Sequence, residues 1–242
     1  MTPSDSTPAS GDLTDSPEPA DVTDPTGLGD PEDPTAPTVG VGPHPAPWPD
    51  DPRLDPVLLA GGDRRNVIDR YRYWAVEAIV ADLDRRRNPV QVAIQNWEHD
   101  FNIGSIVRTA NAFNVSALHI LGRRRWNRRG AMVTDRYLHV THQPTVDGLL
   151  AHLGPVPLIG VDNVPGAESL ETFALPQSCC LLFGSEGPGL TDEALAACAT
   201  VVAITQYGST RSLNAGAAAA IALYHWSLRH AGAGSDGPRS AM

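Results

Sequence analysis

The chain has no lysine: its eighteen basic residues are all Arg. Codon bias produces such a composition, and it leaves every contact to an anion to guanidinium groups, which suit bidentate phosphate recognition. Cysteine is equally scarce. Two of the three, Cys179 and Cys180, lie inside the apolar run Cys179-Cys180-Leu181-Leu182-Phe183, and no CxxC occurs. A disulfide framework and a redox dithiol are therefore excluded, and the pair reads as small buried hydrophobes. No His/Cys/Asp cluster has metal-ligand spacing. His139 and His142 stand without a nearby Cys, Asp or further His, so no metal is expected. GxGxxG after the first strand and GxxxxGK[ST] are both missing, which removes the usual dinucleotide and P-loop readings. No basic-then-apolar segment opens the chain, and its longest apolar stretches, such as Ala215–Leu223, are too short to cross a bilayer. A cytoplasmic protein is the expectation.

What is present is unevenly distributed. Residues 1–55 carry twelve Asp or Glu against one basic residue, Arg53, and are otherwise mostly Pro, Gly, Ser and Thr. A segment this poor in apolar runs cannot repay the entropy of ordering, so a disordered acidic tail is expected there. From residue 56 onward 17 Arg face 16 acidic residues. The formal charge of -10 thus belongs to the tail and does not argue against a nucleic-acid partner for the rest. The expected organisation is a tail over 1–55, a helical extension over 56–87, a main domain over 88–230 and a flexible end over 231–242.

The main domain alternates strands and helices. Ile68, Tyr71, Ala75, Ile79 and Leu83 recur at helical spacing, predicting a helix from Asn66 or Asp69 to about Arg86. Strands are predicted at Val90–Ile94, Leu118–Leu121, Tyr137–Val140, Leu158–Val161, Cys180–Phe183 and Val201–Ile204. Helices are predicted after Asn102, over Val146–Leu153, over Asp192–Ala197 and from about Leu213 to Leu228. This order implies an α/β fold, a mainly parallel sheet flanked by helices.

Three polar turns follow predicted strands and would meet in one crevice at the sheet edge, where open α/β sheets hold ligands. The first contains Asn102, Gly104 and Arg108, the second Phe183-Gly184-Ser185-Glu186-Gly187-Pro188-Gly189-Leu190, and the third Ser212-Leu213-Asn214-Ala215-Gly216. Each residue has an ordinary reading as well. Asn102, Ser212 and Asn214 can cap helices or orient a ribose. Glu186 can be a cap, an acceptor for an Arg or a general base. Arg108 can be a solvated Arg or can emerge near the crevice. A further stretch packs Arg123, Arg124, Arg125, Arg128 and Arg129 around Trp126, more charge than internal pairing readily absorbs. It reads as a phosphate-binding or base-stacking loop rather than a merely solvated face, with Trp97, His99 and Phe101 as possible stacking neighbours.

Taken in order, Asn102–Ala110, Leu182–Leu190 and Gly208–Ile221 resemble the three signature motifs of the SpoU/TrmH family of S-adenosylmethionine-dependent RNA ribose 2'-O-methyltransferases, within the SPOUT superfamily. The resemblance spans nearly all of residues 88–228. It implies a C-terminal deep trefoil knot, a homodimer, S-adenosyl-L-methionine as cofactor, and transfer RNA or ribosomal RNA as substrate. It implies catalytic or orienting roles for Arg108, Asn102, Glu186, Ser212 and Asn214. It places the cofactor against Phe183, Gly184, Glu186, Gly187, Ile204, Gln206, Gly208 and Leu213, largely through backbone groups. The RNA would lie along Arg123, Arg124, Arg125, Trp126, Arg128 and Arg129, extended by Arg70, Arg72, Arg85, Arg86 and Arg87 ahead of the domain. Two departures stand out: Ile204-Thr205-Gln206 where many relatives have Ile-Pro-Met, and Ala215-Gly216 where they have Val-Ser. Methylation of a base nitrogen, and RNA binding without catalysis, are the competing functions for the same fold.

Overall fold

The computed structural model describes residues 40–97, 102–185 and 187–230, with the backbone alone at Arg129. The expectations for residues 1–39 and 231–242, for Glu186, His99 and Phe101, and for the Arg129 side chain fall outside these. Seven strands form one sheet: β1 (Asn88–Asn96), β2 (Val115–Gly122), β3 (Val140–Gln143), β4 (Leu158–Val161), β5 (Glu168–Ser169), β6 (Cys180–Phe183) and β7 (Thr200–Ala203). Their order is β3-β2-β1-β6-β4-β7-β5, and all neighbouring strands are parallel.

Successive strand residues feed opposite faces, as the pleat requires. Val92, Ile94, Leu181 and Phe183 pack with α3 (Asn102–Ala112) and α6 (Ala215–His230). Ala93, Cys180 and Leu182 pack with α4 (Val146–Leu153) and α5 (Asp192–Ala197). Because both faces are covered, the strands read as continuous apolar runs, which is why β4 and β6 were recognisable from sequence. Cys179 and Cys180 are completely buried, and desolvation pushes both thiols up, Cys179 to about 12.

The segment ahead of β1 departs from expectation in two ways. Gly40–Asp55 is bound into the fold and is not part of a tail. Val41 exchanges two backbone hydrogen bonds with Asp63, His44 donates to the Leu59 carbonyl, and Ala75 donates to the Arg53 carbonyl at 2.7 Å. Asp55 caps α1 (Pro56–Gly61) by accepting from the Val57 N–H. Proline-rich composition hides these bonds because they engage backbone groups of a distant segment. The single helix expected up to Arg86 is a short 3-10 turn, Asp69–Tyr71, followed by α2 (Val76–Asp84). The break falls at Tyr73, held at φ 62° with its N–H on the buried Asp63 carboxylate, which also takes the Arg65 guanidinium. A local helical pattern yields here to a buried charge that needs partners.

Arg70, Arg72, Arg85, Arg86 and Arg87 are each paired within the fold. Arg70, Arg85 and Arg86 converge on Asp82, which is 3% exposed and also accepts from the Tyr71 hydroxyl. Burial would raise the Asp82 pKa, but the hydrogen bonds from Tyr71, Arg85 and Arg86 outweigh it and hold the carboxyl below its ordinary range. Arg87 bonds Asp84 and the Tyr137 carbonyl, and Arg72 bonds the Arg65 carbonyl. Their work is to fasten this segment together and to its neighbours. Tyr137, expected at the start of a strand, lies in the 3-10 turn Thr134–Tyr137 with its ring among Tyr71, Trp74 and Ile79.

On the sheet's other side His119 is wholly buried between two hydrogen bonds. The Gln91 amide oxygen accepts from its Nε2–H at 2.8 Å, leaving Nδ1 to accept the Thr141 hydroxyl proton at 2.7 Å. Burial, with a smaller contribution from His152 of α4, lowers its pKa from 6.5 to about 4. Between those values the unfolded chain binds the extra proton, so stability falls as pH drops through 6.5 towards 4. The loss is expected to reach roughly 3 kcal/mol. Urea unfolding across pH 7 to 4 checks it, and His119→Gln is expected to flatten that part of the profile.

Candidate active site

One rung of the sheet sets the site. Ile94, Phe183, Val161 and Val202 align across β1, β6, β4 and β7, so the loops leaving these strands emerge side by side. From β1 the chain adds β2 and β3 on one side, while β4, β6 and β7 lie on the other. The reversal falls between β1 and β6, where the diverging connections leave a crevice. On the β6–β4–β7 side of that reversal lies a cavity of about 920 Å³, walled by the segments after β4, β6 and β7 and by the start of α6, with no described residue of β1 or α3 in its wall.

The loop after β6 is a tight hairpin, bridged between Ser185 and Gly189. A Cβ on Gly184 would lie 2.2 Å from the Gly189 carbonyl carbon and 2.4 Å from the Leu190 nitrogen, so only glycine lets the two arms close. Gly189 has φ 75° and lies against the Asp162 carboxylate. Asp162, at the end of β4, accepts from the Leu190 N–H at 2.7 Å and from the Asn163 N–H at 2.7 Å. Asn163 in turn donates to the Arg211 carbonyl at 3.0 Å, fastening the loop before α6. Gln95, fully buried at the end of β1, exchanges two hydrogen bonds with Thr191, the N-cap of α5. Sequence reasoning passed over Asp162, Asn163 and Gln95. The sole signal was polar residues directly following apolar strands.

The first and third motifs meet in a hydrogen bond. Asn214 donates from Nδ2 to the Oδ1 of Asn102 at 2.7 Å, while its own Oδ1 accepts the Gly216 and Ala217 N–H groups at the start of α6. Capping and site-building are thus one function of Asn214. A Cβ on Gly216 would lie 2.8 Å from the Ser105 hydroxyl, so α6 packs closely on α3 at this point. Arg108 is one helical turn beyond Ser105 on α3. It is exposed and has no hydrogen-bond or ion-pair partner among the described residues. Ser212 is likewise exposed at the cavity wall.

Of the residues expected around the cofactor, Phe183, Gly184, Gly187, Ile204, Gln206 and Leu213 line the cavity. Gly208 does not: the wall passes from Gln206 to Thr210. Gly187 has φ 94° and open space where its side chain would be. The Gln206 amide oxygen is buried, with no partner among the described residues. Cavity size and an open glycine at the wall fit a small molecule of the size of S-adenosylmethionine.

The arginine-rich loop lies beside α3 for a steric reason. A Cβ on Gly104 would meet backbone of Gly130 and Ala131 at 2.7 to 2.9 Å, so this glycine lets the loop cross the helix. Asn96 pins the loop's start by donating to the carbonyls of Arg123 and Arg125. The side chains of Arg123, Arg124 and Arg125 are exposed without partners among the described residues. Arg128 is partly committed, 3.4 Å from Asp135 and stacked over Trp126. Trp126 itself packs against the core and so is less open to a base than expected. His139 bonds Asp84 and His142 bonds the Gly122 carbonyl.

Comparison with known proteins places this geometry. The family model for the SpoU rRNA methylase family matches residues 89–224. The tRNA (guanosine(18)-2'-O)-methyltransferase of Escherichia coli K12 is 27% identical over 157 residues, covering 63% of this chain and 69% of the relative. The A. aeolicus TrmH/SpoU tRNA modifying enzyme superposes with a TM-score of 0.57 at 19% identity, over 64% of this chain and 81% of that one. The SpoU methyltransferase AviRb of Streptomyces viridochromogenes, solved with the cofactor AdoMet, gives a TM-score of 0.54 at 25% identity, over 62% and 63% of the two chains. With more than half its length matched by the family model, from β1 into α6, this chain belongs to the SpoU rRNA methylase family.

Proposed function

We propose that the protein transfers a methyl group from S-adenosyl-L-methionine to a ribose 2'-hydroxyl of transfer or ribosomal RNA. The observation that carries this reading is the convergence of the three motifs. The Asn102–Asn214 hydrogen bond ties the first to the third beside a cavity walled by the second and third, and Arg108 stands exposed nearly two turns along α3 from Asn102. Phe183, Gly184, Gly187, Ile204, Gln206 and Leu213 would hold the cofactor, with Glu186 between Ser185 and Gly187 on the same loop. The bound cofactor supplies an electrophilic methyl on a sulfonium, so the chain's task is to align and deprotonate a weak nucleophile. Orientation of the two substrates can supply much of the rate. A guanidinium keeps its proton to about pH 12.5–13.8 and is a poor base alone. Arg108 therefore contacts the phosphate beside the target ribose and guides the hydroxyl proton towards it. Asn102, Ser212 and Asn214 position the ribose and Arg108.

The same reading includes a deep trefoil knot and a homodimer. The chain leaves β7, passes the cavity wall at Ile204–Leu213 and returns to lay α6 against α3, a path that suits such a knot. Exposed Ile221, Tyr224 and Leu228 on α6 suit a subunit contact. Arg123, Arg124 and Arg125 would draw in RNA phosphates, with Arg128, Arg129 and Trp126 framing that loop. Action on RNA in the cytoplasm belongs to the same reading; no described helix is long and apolar enough to cross a membrane. Comparing 2'-O-methyl maps of cellular RNA with and without the gene tests the reading. Loss of at least one transfer-RNA or ribosomal ribose methyl is expected, and identical maps would contradict it.

A further inference from the structure

Between the arginine-rich loop and β3 the backbone adopts a conformation that its side chains disfavour. Ala131 to Thr134 form a reverse turn whose two central residues are both left-handed: Met132 at φ 49°, ψ 42° and Val133 at φ 63°, ψ 8°. These angles are close to a type I′ turn, whose central positions Gly, Asn and Asp ordinarily fill. A methionine is uncommon there, and a β-branched valine is an outlier. Both ends of the turn are anchored. Ala131 is fully buried in the core, and the buried Thr134 donates its hydroxyl to the Ala131 carbonyl at 2.6 Å. The two side chains between these anchors stay in solvent, Met132 53% exposed and Val133 38%. Apolar residues thus hold a strained conformation without being buried by it, a conflict that marks functional surfaces.

The surroundings of the pair are cationic. Gly104 crosses the backbone of Gly130 and Ala131, and Arg108 lies one turn further along the same face of α3. A long helical side chain leans back over the preceding turn, so the exposed Arg108 extends towards this crossing. Arg128 reaches past the turn to Asp135 at 3.4 Å, and the loop leading in carries the exposed Arg123, Arg124 and Arg125. Guanidiniums suit phosphates, and a small apolar surface among them suits the face of a base that those phosphates flank. A protein partner would need far more area than two side chains offer. A second copy meeting this patch with its own would set guanidiniums against guanidiniums. Resting on the reading of the protein as an RNA ribose methyltransferase, we infer that Met132 and Val133 form an apolar platform for an unpaired base beside the target ribose. Arg108 holds the adjoining phosphate. A base stacked and paired within a duplex has no free face to reach the platform.

The double variant Met132→Asn/Val133→Gly gives the turn the residues it favours and removes the platform. It is tested on RNA purified from cells that lack the gene. Its melting temperature is expected not to fall, because the left-handed backbone is relieved. Its kcat/KM for RNA is expected to drop about tenfold, roughly the effect of two apolar side chains no longer covered. Affinity for S-adenosylhomocysteine and the sedimentation coefficient are expected to match the wild type. The slope of RNA affinity against salt is also expected to stay, since no phosphate contact is lost, whereas Arg124→Gln lowers it by about 0.7. Met132→Gln, which keeps the side chain's length, is expected to lose about threefold, and Met132→Leu to recover it. An undiminished kcat/KM in the double variant overturns the inference and leaves the methyltransferase reading standing. A lower melting temperature also overturns it, by making the pair part of the fold's own packing. So does a smaller sedimentation coefficient, which makes the pair a subunit contact. If the wild type methylates none of this RNA, the methyltransferase reading fails and the inference fails with it.

Discussion

Arg108→Ala is expected to lower methyl transfer by about 10²–10⁴-fold, the usual range for a group that handles the proton in the transition state. Cofactor affinity is expected to stay within about twofold, because Arg108 does not line the cavity. Stability should change by no more than about 0.5 kcal/mol, since the side chain is exposed and unpaired among the described residues. Single-turnover methylation, with calorimetry on S-adenosylhomocysteine alongside, separates these quantities. Arg108→Lys is expected to recover only part of the rate, because an ammonium is a point charge without the planar fork that grips a phosphate. A variant Arg108→Ala that keeps more than a tenth of the rate would remove Arg108 from the chemistry.

Gly184→Ala is expected to be the most damaging single methyl group in the site. The added Cβ would meet three backbone atoms of Gly189 and Leu190 within 2.5 Å, and backbone, unlike a flexible side chain, cannot swing away. The hairpin must open, at a cost of about 3 kcal/mol or more. That corresponds to a fall in melting temperature of roughly 6–12 °C for a chain of this size. Cofactor binding should be lost as well, since the displaced residues form the cavity wall. Gly187→Ala is the useful contrast. Space is free around it, and only φ 94° resists a side chain. It should cost about 1–2 kcal/mol and leave the hairpin closed. Equal melting temperatures for the two variants would show that close approach at Gly184 is not what shapes the loop.

How much of this was legible in the sequence follows from which forces act locally. β4 and β6 are found at their observed bounds, because strands buried on both faces read as short apolar runs between polar turns. The bounds of α4 and α5 are right for a similar reason: Thr145 and Thr191 accept N–H groups of the first turn and mark the starts. The second and third motif turns wall the cavity, apart from Gly208 and the undescribed Glu186, and the first meets the third through the Asn102–Asn214 hydrogen bond without lining the cavity. What escaped depends on partners far along the chain. Gln95 acts through Thr191, 96 residues away, and Asp162 through Leu190, 28 away. The arginines ahead of β1 looked like a phosphate surface because nothing in their spacing shows that Asp82, buried by tertiary packing, would collect three of them. Gly40–Asp55 looked unfoldable because its bonds to Asp63, Leu59 and Ala75 run through backbone that carries no sequence signal.

The measurement closest to the central claim is nucleoside mass spectrometry of RNA methylated by the purified protein. RNA lacking its own methyl groups, isotopically labelled S-adenosylmethionine and the full chain are the only components required. The labelled methyl is predicted on a ribose, released as a 2'-O-methylnucleoside and absent when Arg108→Ala replaces the wild type. Label recovered on a base, or no label on RNA despite tight cofactor binding, would contradict it.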